Sequence, residues 1–451
     1  MLLSVTLIDA EENSQIWSNR YEMDLSVKEV WDIQFEIAGQ IMKSMAFSLS
    51  EDLRAKSKDL PTTDYLAYDN YLRAKDFLKA WDLDENRKAI DLLNKSIFLD
   101  PNYYVALAEL SFAYGQRTEL SQRTDEFTSG HWLDSAGHYA QLAIGIKPDL
   151  PEALVAKGYY ETLVGDTREG LRLYQAAYDL NPKVPNNFLG WCHMQTGNYQ
   201  YALELALKML KDDPNNAVFY ADAADAANAL GLFTTARAFS NEALVLRPGF
   251  QWAIHDRIQT YYYENKYADV LKLVESFKDK EGFGTHFGVK IYLSLTYYKL
   301  GEPEPALSLL KQIVDQNVEM MIAINIARKH LATSLMGFML IQTGNIKEGK
   351  SVLEGLLKDV EFTLNERFPE KPMILACCYA ALGNQEKCLE ELERSNGGIV
   401  VNYYNLAKFP SFDIMREHPR FQEIMNGLKY RTEKMRENVL AKGYIDDILE
   451  H

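Results

Sequence analysis

The sequence predicts a mainly α-helical solenoid, built from stacked helix pairs and preceded by a small N-terminal β-hairpin and helix. One pattern of small residues carries this prediction, because it occurs three times in succession with steps of 7, 5, 7 and 5 residues. A small residue allows two helices to cross closely, glycine turns the chain, and proline ends the second helix. The three copies are Gly158, Gly165, Gly170, Ala177 and Pro182; Gly190, Gly197, Ala202, Met209 and Pro214; and Ala224, Gly231, Ala236, Ala243 and Pro248.

The period of this pattern indicates the kind of repeat. Pro148, Pro182, Pro214 and Pro248 lie 34, 32 and 34 residues apart, a spacing typical of two short helices per unit. The pattern resembles the tetratricopeptide repeat (TPR) family, whose period is 34 residues. The resemblance implies a right-handed TPR α-solenoid of about nine helix pairs. Such an array grows by stacking and needs no single large core.

The first residues follow a different pattern. Residues 2–24 contain two alternating, β-branched runs around a polar turn and predict a hairpin, whereas apolar residues at helical spacing predict a helix over 27–49. The stretch LIDAEENSQIWSNRYEMDLSVKEVWDIQFEIA is similar to the end of the TolB-like α/β domain. That domain precedes TPR arrays in some bacterial adenylate cyclases and winged-helix regulators. We therefore expect residues 1–53 to form an incomplete, truncated TolB-like segment. The alternative is a strand pair that docks on the first repeat.

The remaining boundaries follow from the repeat pattern. Residues 54–64 are polar and predict a linker, and residues 65–398 predict the TPR array. One interval between repeat prolines is 13 residues too long, which predicts an insertion near 115–131 in the turn between two helices. Residues 399–451 resemble the closing segment that follows arrays in the same cyclase-associated family. They predict capping helices that cover the open end of the solenoid.

Composition excludes several classes of protein. The net charge of −16 over 451 residues argues against direct binding of nucleic acid, which requires basic patches. No apolar run reaches the length of a membrane span, and the first residues lack the basic leader of a signal peptide. These features predict a cytoplasmic protein, and the resemblance to the TolB-like family implies a bacterial one. The four cysteines have no metal-binding spacing, so we expect neither disulfides nor a metal.

No set of residues predicts an enzyme. The glycine-rich stretch 282–290 lacks the Gly-Lys-Ser/Thr order of a phosphate-binding loop. His131, Asp134 and His138 fit one helical face, but they match no metal signature. We therefore expect no catalytic residues, no metal and no cofactor.

The resemblance to TPR proteins does suggest a binding surface, because the first helices of such arrays line the concave wall. Residues facing that wall recur at i, i+4 and i+7 on each first helix. Amides there would bond a peptide backbone, aromatic rings would supply contact area, and Asp225 would take a basic side chain. The predicted partner-binding residues are Tyr159, Asn187, Trp191, Asp225, Asn228, His255, Gln259, Tyr262 and Tyr298.

Two functional hypotheses follow. The first is a non-enzymatic scaffold that binds a protein, peptide or helix in the concave groove. The second is the regulatory or sensory part of a bacterial signalling protein, resembling adenylate cyclases or transcriptional regulators, whose output domain is absent from this chain. The TolB-like resemblance motivates the second hypothesis.

Overall fold

The computed structural model describes most of the chain. The described ranges are 2–9, 14–22, 61–121, 131–182, 187–278, 286–316, 322–364, 368–396 and 402–443, with single positions at Ile33, Glu36, Ile37, Val184, Ile445 and Ile448. Most of the predicted helix 27–49, most of the linker 54–64 and much of the insertion lie outside the described residues. The chain divides into two compact units, residues 1–160 and 161–451, and each is described by itself.

The predicted N-terminal hairpin is confirmed. Strand β1 (Leu2–Asp9) pairs in antiparallel order with β2 (Ser14–Glu22), with Leu3 opposite Tyr21 and Val5 opposite Asn19. The register shifts between Leu7 and Ile8. Such an irregularity sharpens the local twist of a hairpin.

Unit 1 continues with paired helices. They are α1 (Tyr65–Leu78), α2 (Leu83–Leu99), α3 (Tyr104–Ser121), α4 (Trp132–Ile146) and α5 (Pro151–Leu163), the last of which crosses the unit boundary. Local capping explains two of the starts. The Asp64 side chain accepts from the Ala67 amide, and Asp82 accepts from Asp84 and Glu85. Each cap satisfies a backbone donor that has no partner within the helix.

Unit 2 repeats the same arrangement. Its helices are α6 (Thr167–Leu180), α7 (Asn187–Gln195), α8 (Tyr199–Asp212), α9 (Ala217–Ala229), α10 (Phe233–Leu246), α11 (Gln251–Tyr263), α12 (Tyr267–Phe277), α13 (Phe287–Lys299), α14 (Pro303–Val314), α15 (Ala323–Gln342), α16 (Ile346–Thr363), α17 (Lys371–Ala381), α18 (Gln385–Asn396), α19 (Tyr403–Lys408), a 3-10 helix (Pro410–Met415) and α20 (Pro419–Leu440). In the described part of the chain, α1–α18 follow one another as nine successive pairs. The fold is the predicted TPR-type helical array.

The small residues of the repeat pattern occupy the positions where helices meet. Ala224, Ala236 and Ala243 are completely buried. In a later repeat, a Cβ added to Gly349 would lie 2.6 Å from the Gly337 carbonyl oxygen. Only glycine permits so close an approach between α15 and α16. The repeat spacing therefore identifies packing sites correctly.

The insertion differs from its prediction. Helix α3 continues to Ser121, so residues 115–121 extend a helix and do not form a turn. Buried polar contacts account for this difference, because Gln116 Nε2 donates to the Leu78 carbonyl at 3.0 Å and Arg117 Nη1 donates to the Leu83 carbonyl at 2.7 Å. These side chains look like loop residues in the sequence, but they join α3 to the preceding helix pair.

The end of the chain packs against several repeats of unit 2. Leu406, Phe412 and Phe421 are almost completely buried in the apolar core that α11, α13 and α17 also supply. Helix α20 then continues until it also contacts α8. None of the helices in the described ranges combines the length and apolar character of a membrane span.

Candidate interaction site

A small pocket lies between helices α7, α8 and α9 of unit 2. Its lining residues come from α7, α8 and α9 and are Gly190, Trp191, Met194, Ala202, Leu205, Ala206, Met209, Asp222 and Asp225. Trp191 and Met194 lie one helical turn apart on α7, so both face the pocket. Both side chains are half-buried. The pocket therefore offers an aromatic ring, a thioether and two carboxylates to an incoming group.

The carboxylates make this region acidic. Asp222 and Asp225 lie three residues apart on α9, and both remain partly accessible. Burial raises the pKa of Asp222 well above its usual range, with smaller contributions from Asp225 and Asp256. Burial, followed by the charge of Asp256, raises the pKa of Asp225 to about 7, while His255 and Arg328 oppose this shift. The Asp225 carboxyl therefore lacks enough nearby positive charge to stabilise its ionised form.

His255 does not supply that charge near neutral pH. Its Nδ1 lies 3.1 Å from Asp256 Oδ1, yet burial lowers the pKa of His255 to about 4, with Asp225 raising it and Arg328 lowering it by less. Burial also raises the pKa of Asp256 well above the usual value of a carboxyl. A neutral imidazole therefore lies beside the acidic group.

The raised pKa of Asp225 predicts how stability depends on pH. Between about pH 4 and 7 the native state binds more protons than the unfolded state, so stability falls as pH rises through this window. Each unit by which the pKa in the native state exceeds the pKa in the unfolded state is equivalent to about 1.4 kcal/mol of unfolding free energy. We expect Asp225→Asn to reduce the loss of unfolding free energy between pH 5 and 7.5, measured by urea denaturation. An identical loss in Asp225→Asn and wild type would contradict this assignment.

Three of the predicted binding residues of unit 2 lie in the interior. Asn228 is completely buried, and its Nδ2 donates to the Asp256 carbonyl at 2.8 Å while its Oδ1 accepts from the Thr260 hydroxyl at 2.6 Å. Gln259 Nε2 donates to the Tyr292 hydroxyl at 2.8 Å. These amides therefore link α9, α11 and α13 to one another and do not present free groups to a peptide backbone.

Tyr262 is the third of these residues and is also completely buried. Its hydroxyl donates to the Lys408 carbonyl at 3.1 Å. The neighbouring hydroxyls of Tyr263 and Tyr292 donate to Asn405 Oδ1 at 2.6 and 2.7 Å. The tyrosines of α11 and α13 thus hold the C-terminal segment. The predicted contact of Tyr262 with a partner stays a prediction.

The other predicted residues have separate environments. Tyr159, in unit 1, is 2% exposed and donates to Glu119 Oε2 at 2.8 Å. Tyr298 is half-buried and packs edge-on against Phe338, with 5.7 Å between ring centroids. The side chain of Asn187 lies outside the description of the structure. Of the nine predicted residues, the pocket brings together Trp191 and Asp225.

The sequence analysis missed Asp222 and Asp256. Asp222 precedes Asp225 by one helical turn in AVFYADAADAANA, where two acids interrupt an otherwise alanine-rich helix. That composition was a usable signal, because an acid pair on one face of a buried helix is costly without a partner. Asp256 carries no such signal, because its burial results from packing between repeats.

The histidine-containing alternative has a different geometry. His131 Nδ1 lies 3.4 Å from Asp134 Oδ2, and both side chains are strongly exposed. His138 packs edge-on against Tyr139 with 5.2 Å between ring centroids. Across the described ranges, no group of three or more His, Cys, Asp or Glu side chains is placed to hold a metal ion.

Comparison with known proteins agrees with the repeat architecture. No family model matches the chain. A stretch of 149 residues, 33% of this chain, is 25% identical to the TPR repeat-containing protein YpiA of Bacillus subtilis (strain 168). The chain covers 35% of the length of that relative, so the activity and partners of the whole relative are not established for this chain.

Solved structures give more distant likenesses. A TPR protein from Parabacteroides merdae aligns over 60% of this chain and 99% of its own, with 15% identity and a TM-score of 0.41. A Rap protein complexed with Competence and Sporulation Factor aligns over 82% and 99%, with 10% identity and a TM-score of 0.49. The human IFIT1 dimer with m7Gppp-AAAA aligns over 81% and 76%, with 13% identity and a TM-score of 0.49. These likenesses are too distant to bear on ligands.

Proposed function

We propose that this chain is a non-enzymatic interaction scaffold, and that unit 2 binds an extended peptide segment through a lysine or arginine side chain. The pocket of Trp191, Met194, Asp222 and Asp225 carries the proposal. A cation gains from the face of a tryptophan ring and from carboxylates whose own solvation is reduced. The carboxyls of this pocket have raised pKa values, so a bound cation would relieve an existing electrostatic cost.

The pocket also distinguishes between classes of partner. The residues that line the pocket include no cation to pair with a phosphate, so nucleic acid is an unfavourable ligand there. The net charge of −16 also repels nucleic acid over longer distances. We place this scaffold in the bacterial cytoplasm as part of the same proposal.

The test uses fluorescently labelled alanine-based nonapeptides with one central lysine, arginine, glutamate or norleucine. We expect the lysine and arginine peptides to bind and the other two to bind at least tenfold more weakly. Asp225→Asn should weaken binding of the lysine peptide about tenfold, because a charged hydrogen bond contributes about 1.5–3 kcal/mol. Fluorescence anisotropy measures these affinities. Trp191→Ala should have a comparable effect.

Asp212→Asn provides the matched control, because Asp212 is an exposed acid at the end of α8. That variant should bind as wild type does. A 5′-phosphorylated RNA oligonucleotide should show no binding at the same protein concentration. Equal affinity for the lysine, glutamate and norleucine peptides would exclude the proposed recognition of a cation.

The second candidate function is a regulatory role in bacterial signalling. The resemblance of residues 1–53 to the end of a TolB-like domain supports it, and the hairpin β1–β2 is the described part of that segment. Sequencing the DNA directly upstream of Met1 tests this candidate. Coding sequence for a cyclase or winged-helix domain would favour it, whereas a clean intergenic gap would count against it.

A further inference from the structure

The two halves of helix α20 are held very differently. In the first half, Phe421, Ile424 and Leu428 are 1%, 4% and 7% exposed and belong to the main apolar core of unit 2. Arg420 also pairs with Glu386 and Glu393 of α18, at 2.6 and 2.9 Å. This half is therefore firmly anchored to the last helix pairs.

The second half, residues 429–440, is less deeply buried, although Met435 packs against an apolar cluster and Arg436 forms a hydrogen bond with Tyr404. Thr432 and Val439 are its buried side chains. Asn438 Nδ2 donates to Gln200 Oε1 at 3.1 Å, and beyond the helix Lys442 Nζ lies 2.8 Å from Glu204 Oε1. Accessible polar pairs of this kind add little stability. A segment with so few buried apolar contacts belongs to the parts of a protein that open first.

This weakly held half lies beside the pocket. Val439 belongs to one apolar cluster with Ala202 and Ala206, and Met194 and Met435 pack against the same cluster. Ala202, Ala206 and Met194 are also pocket-lining residues. In addition, burial raises the pKa of Tyr199, the nearby Asp225 raises it further, and Arg431 of α20 lowers it. The guanidinium of Arg431 and the Asp225 carboxylate therefore share one neighbourhood.

A glycine marks the junction between the two halves. Gly427 lies inside α20, and a Cβ added there would meet nothing within 4 Å. Packing therefore does not require glycine at this position, although glycine weakens a helix relative to alanine. The local cost falls at the end of the anchored half, one residue before Leu428, and a helix would bend or fray most easily there.

We propose that residues 429–440 form a strap that docks on α8 and restricts access to the pocket, and that the strap detaches by yielding at Gly427. The strap would then control access to the pocket that the proposed function assigns to a cationic peptide. The regulatory role of the strap therefore rests on that function. A partner would compete with the strap, so loosening the strap should expose the pocket and stiffening it should close the pocket.

The test measures access to the pocket without any peptide. A cysteine introduced by Met194→Cys is labelled with N-ethylmaleimide, and mass spectrometry gives the rate. The four native cysteines are all buried, so they contribute little background. Val245→Cys provides a control thiol, because Val245 is 66% exposed on α10.

Two variants should change this rate in opposite directions. Val439→Asp buries a charge at the docking contact and should speed labelling at position 194 by at least about fivefold. Gly427→Ala strengthens the helix at the junction and should slow labelling by up to about fivefold. Leu440→Asp introduces the same carboxylate at a side chain that is 53% exposed, and it should leave the rate unchanged.

Each outcome decides the inference. If neither Val439→Asp nor Gly427→Ala changes the labelling rate at position 194, the proposed strap is excluded. If Val439→Asp also makes the four buried native cysteines react, that variant has unfolded, and the Gly427→Ala arm decides alone. If labelling responds as expected but no lysine peptide binds any variant, the proposed function fails while control of the pocket by the strap is retained.

Discussion

Replacing Gly231 by alanine should lower the free energy of unfolding of unit 2 by about 3 kcal/mol. Gly231 follows α9 with a φ of +73°. A residue with a side chain adopts this backbone conformation only at an energetic cost. A Cβ at this position would also overlap the Tyr404 hydroxyl and lie 2.5 Å from the carbon that carries it. Backbone strain and overpacking each contribute about 1–3 kcal/mol. Urea denaturation followed by circular dichroism measures the change.

A matched glycine separates these two effects. Gly301 has a φ of +80°, but a Cβ there would meet nothing within 4 Å. Gly301→Ala should therefore show the backbone cost alone, about 1 kcal/mol. Combining Gly231→Ala with Tyr404→Ala should remove the steric part of the loss. Equal losses in Gly231→Ala and Gly301→Ala would show that the contact with Tyr404 has no energetic weight.

Replacing Asn228 by alanine should also destabilise unit 2 by about 3 kcal/mol. The substitution removes the buried hydrogen bonds of Asn228 to the Asp256 carbonyl, the Thr260 hydroxyl and Gln259 Oε1. Each such bond contributes about 0.5–1.5 kcal/mol. Denaturant unfolding gives the stability, and anisotropy with the lysine peptide under native conditions gives the affinity.

The comparison with two other variants shows whether Asn228 is structural. Asn241→Ala, at an exposed asparagine of α10, should change stability by less than about 0.5 kcal/mol. Trp191→Ala should weaken peptide binding more than it changes stability. If Asn228→Ala left stability intact but abolished peptide binding, the residue would belong to the ligand surface as the sequence predicted.

The helix pairs were predictable because their spacing rests on local chemistry. Gly231 turns the chain and Ala224 allows close crossing wherever such a repeat occurs, so the order of residue types is sufficient to locate them. Whether the predicted binding residues are buried or exposed was not predictable in this way. The i, i+4, i+7 rule indicates a face of α9 or α11, but it does not indicate whether that face meets solvent or the next leading helix.

Asn228 illustrates the difference. Its partners Asp256, Gln259 and Thr260 lie 28 to 32 residues further along the chain, about one repeat away. The side chain that faces along the array therefore meets the following repeat. Asp225, one turn earlier on α9, remains partly accessible at the pocket. A single helical turn separates a structural amide from a candidate binding residue.

The C-terminal contacts had no local signal at all. The capping role of the last residues was predicted from their resemblance to a closing segment. The contact between Asn438 and Gln200, however, joins positions 238 residues apart. No pattern within either helix specifies the other, because both stretches read as ordinary amphipathic helices.

The return of α20 to α8 has a consequence for how unit 2 unfolds. In an open array, each repeat depends only on its neighbours, so an end repeat can melt while the middle survives. Here α20 connects α18 with α8. Because the contact with α8 is made by the weakly held strap, it couples the two regions only while the strap is docked, and partly melted species should appear once the strap detaches.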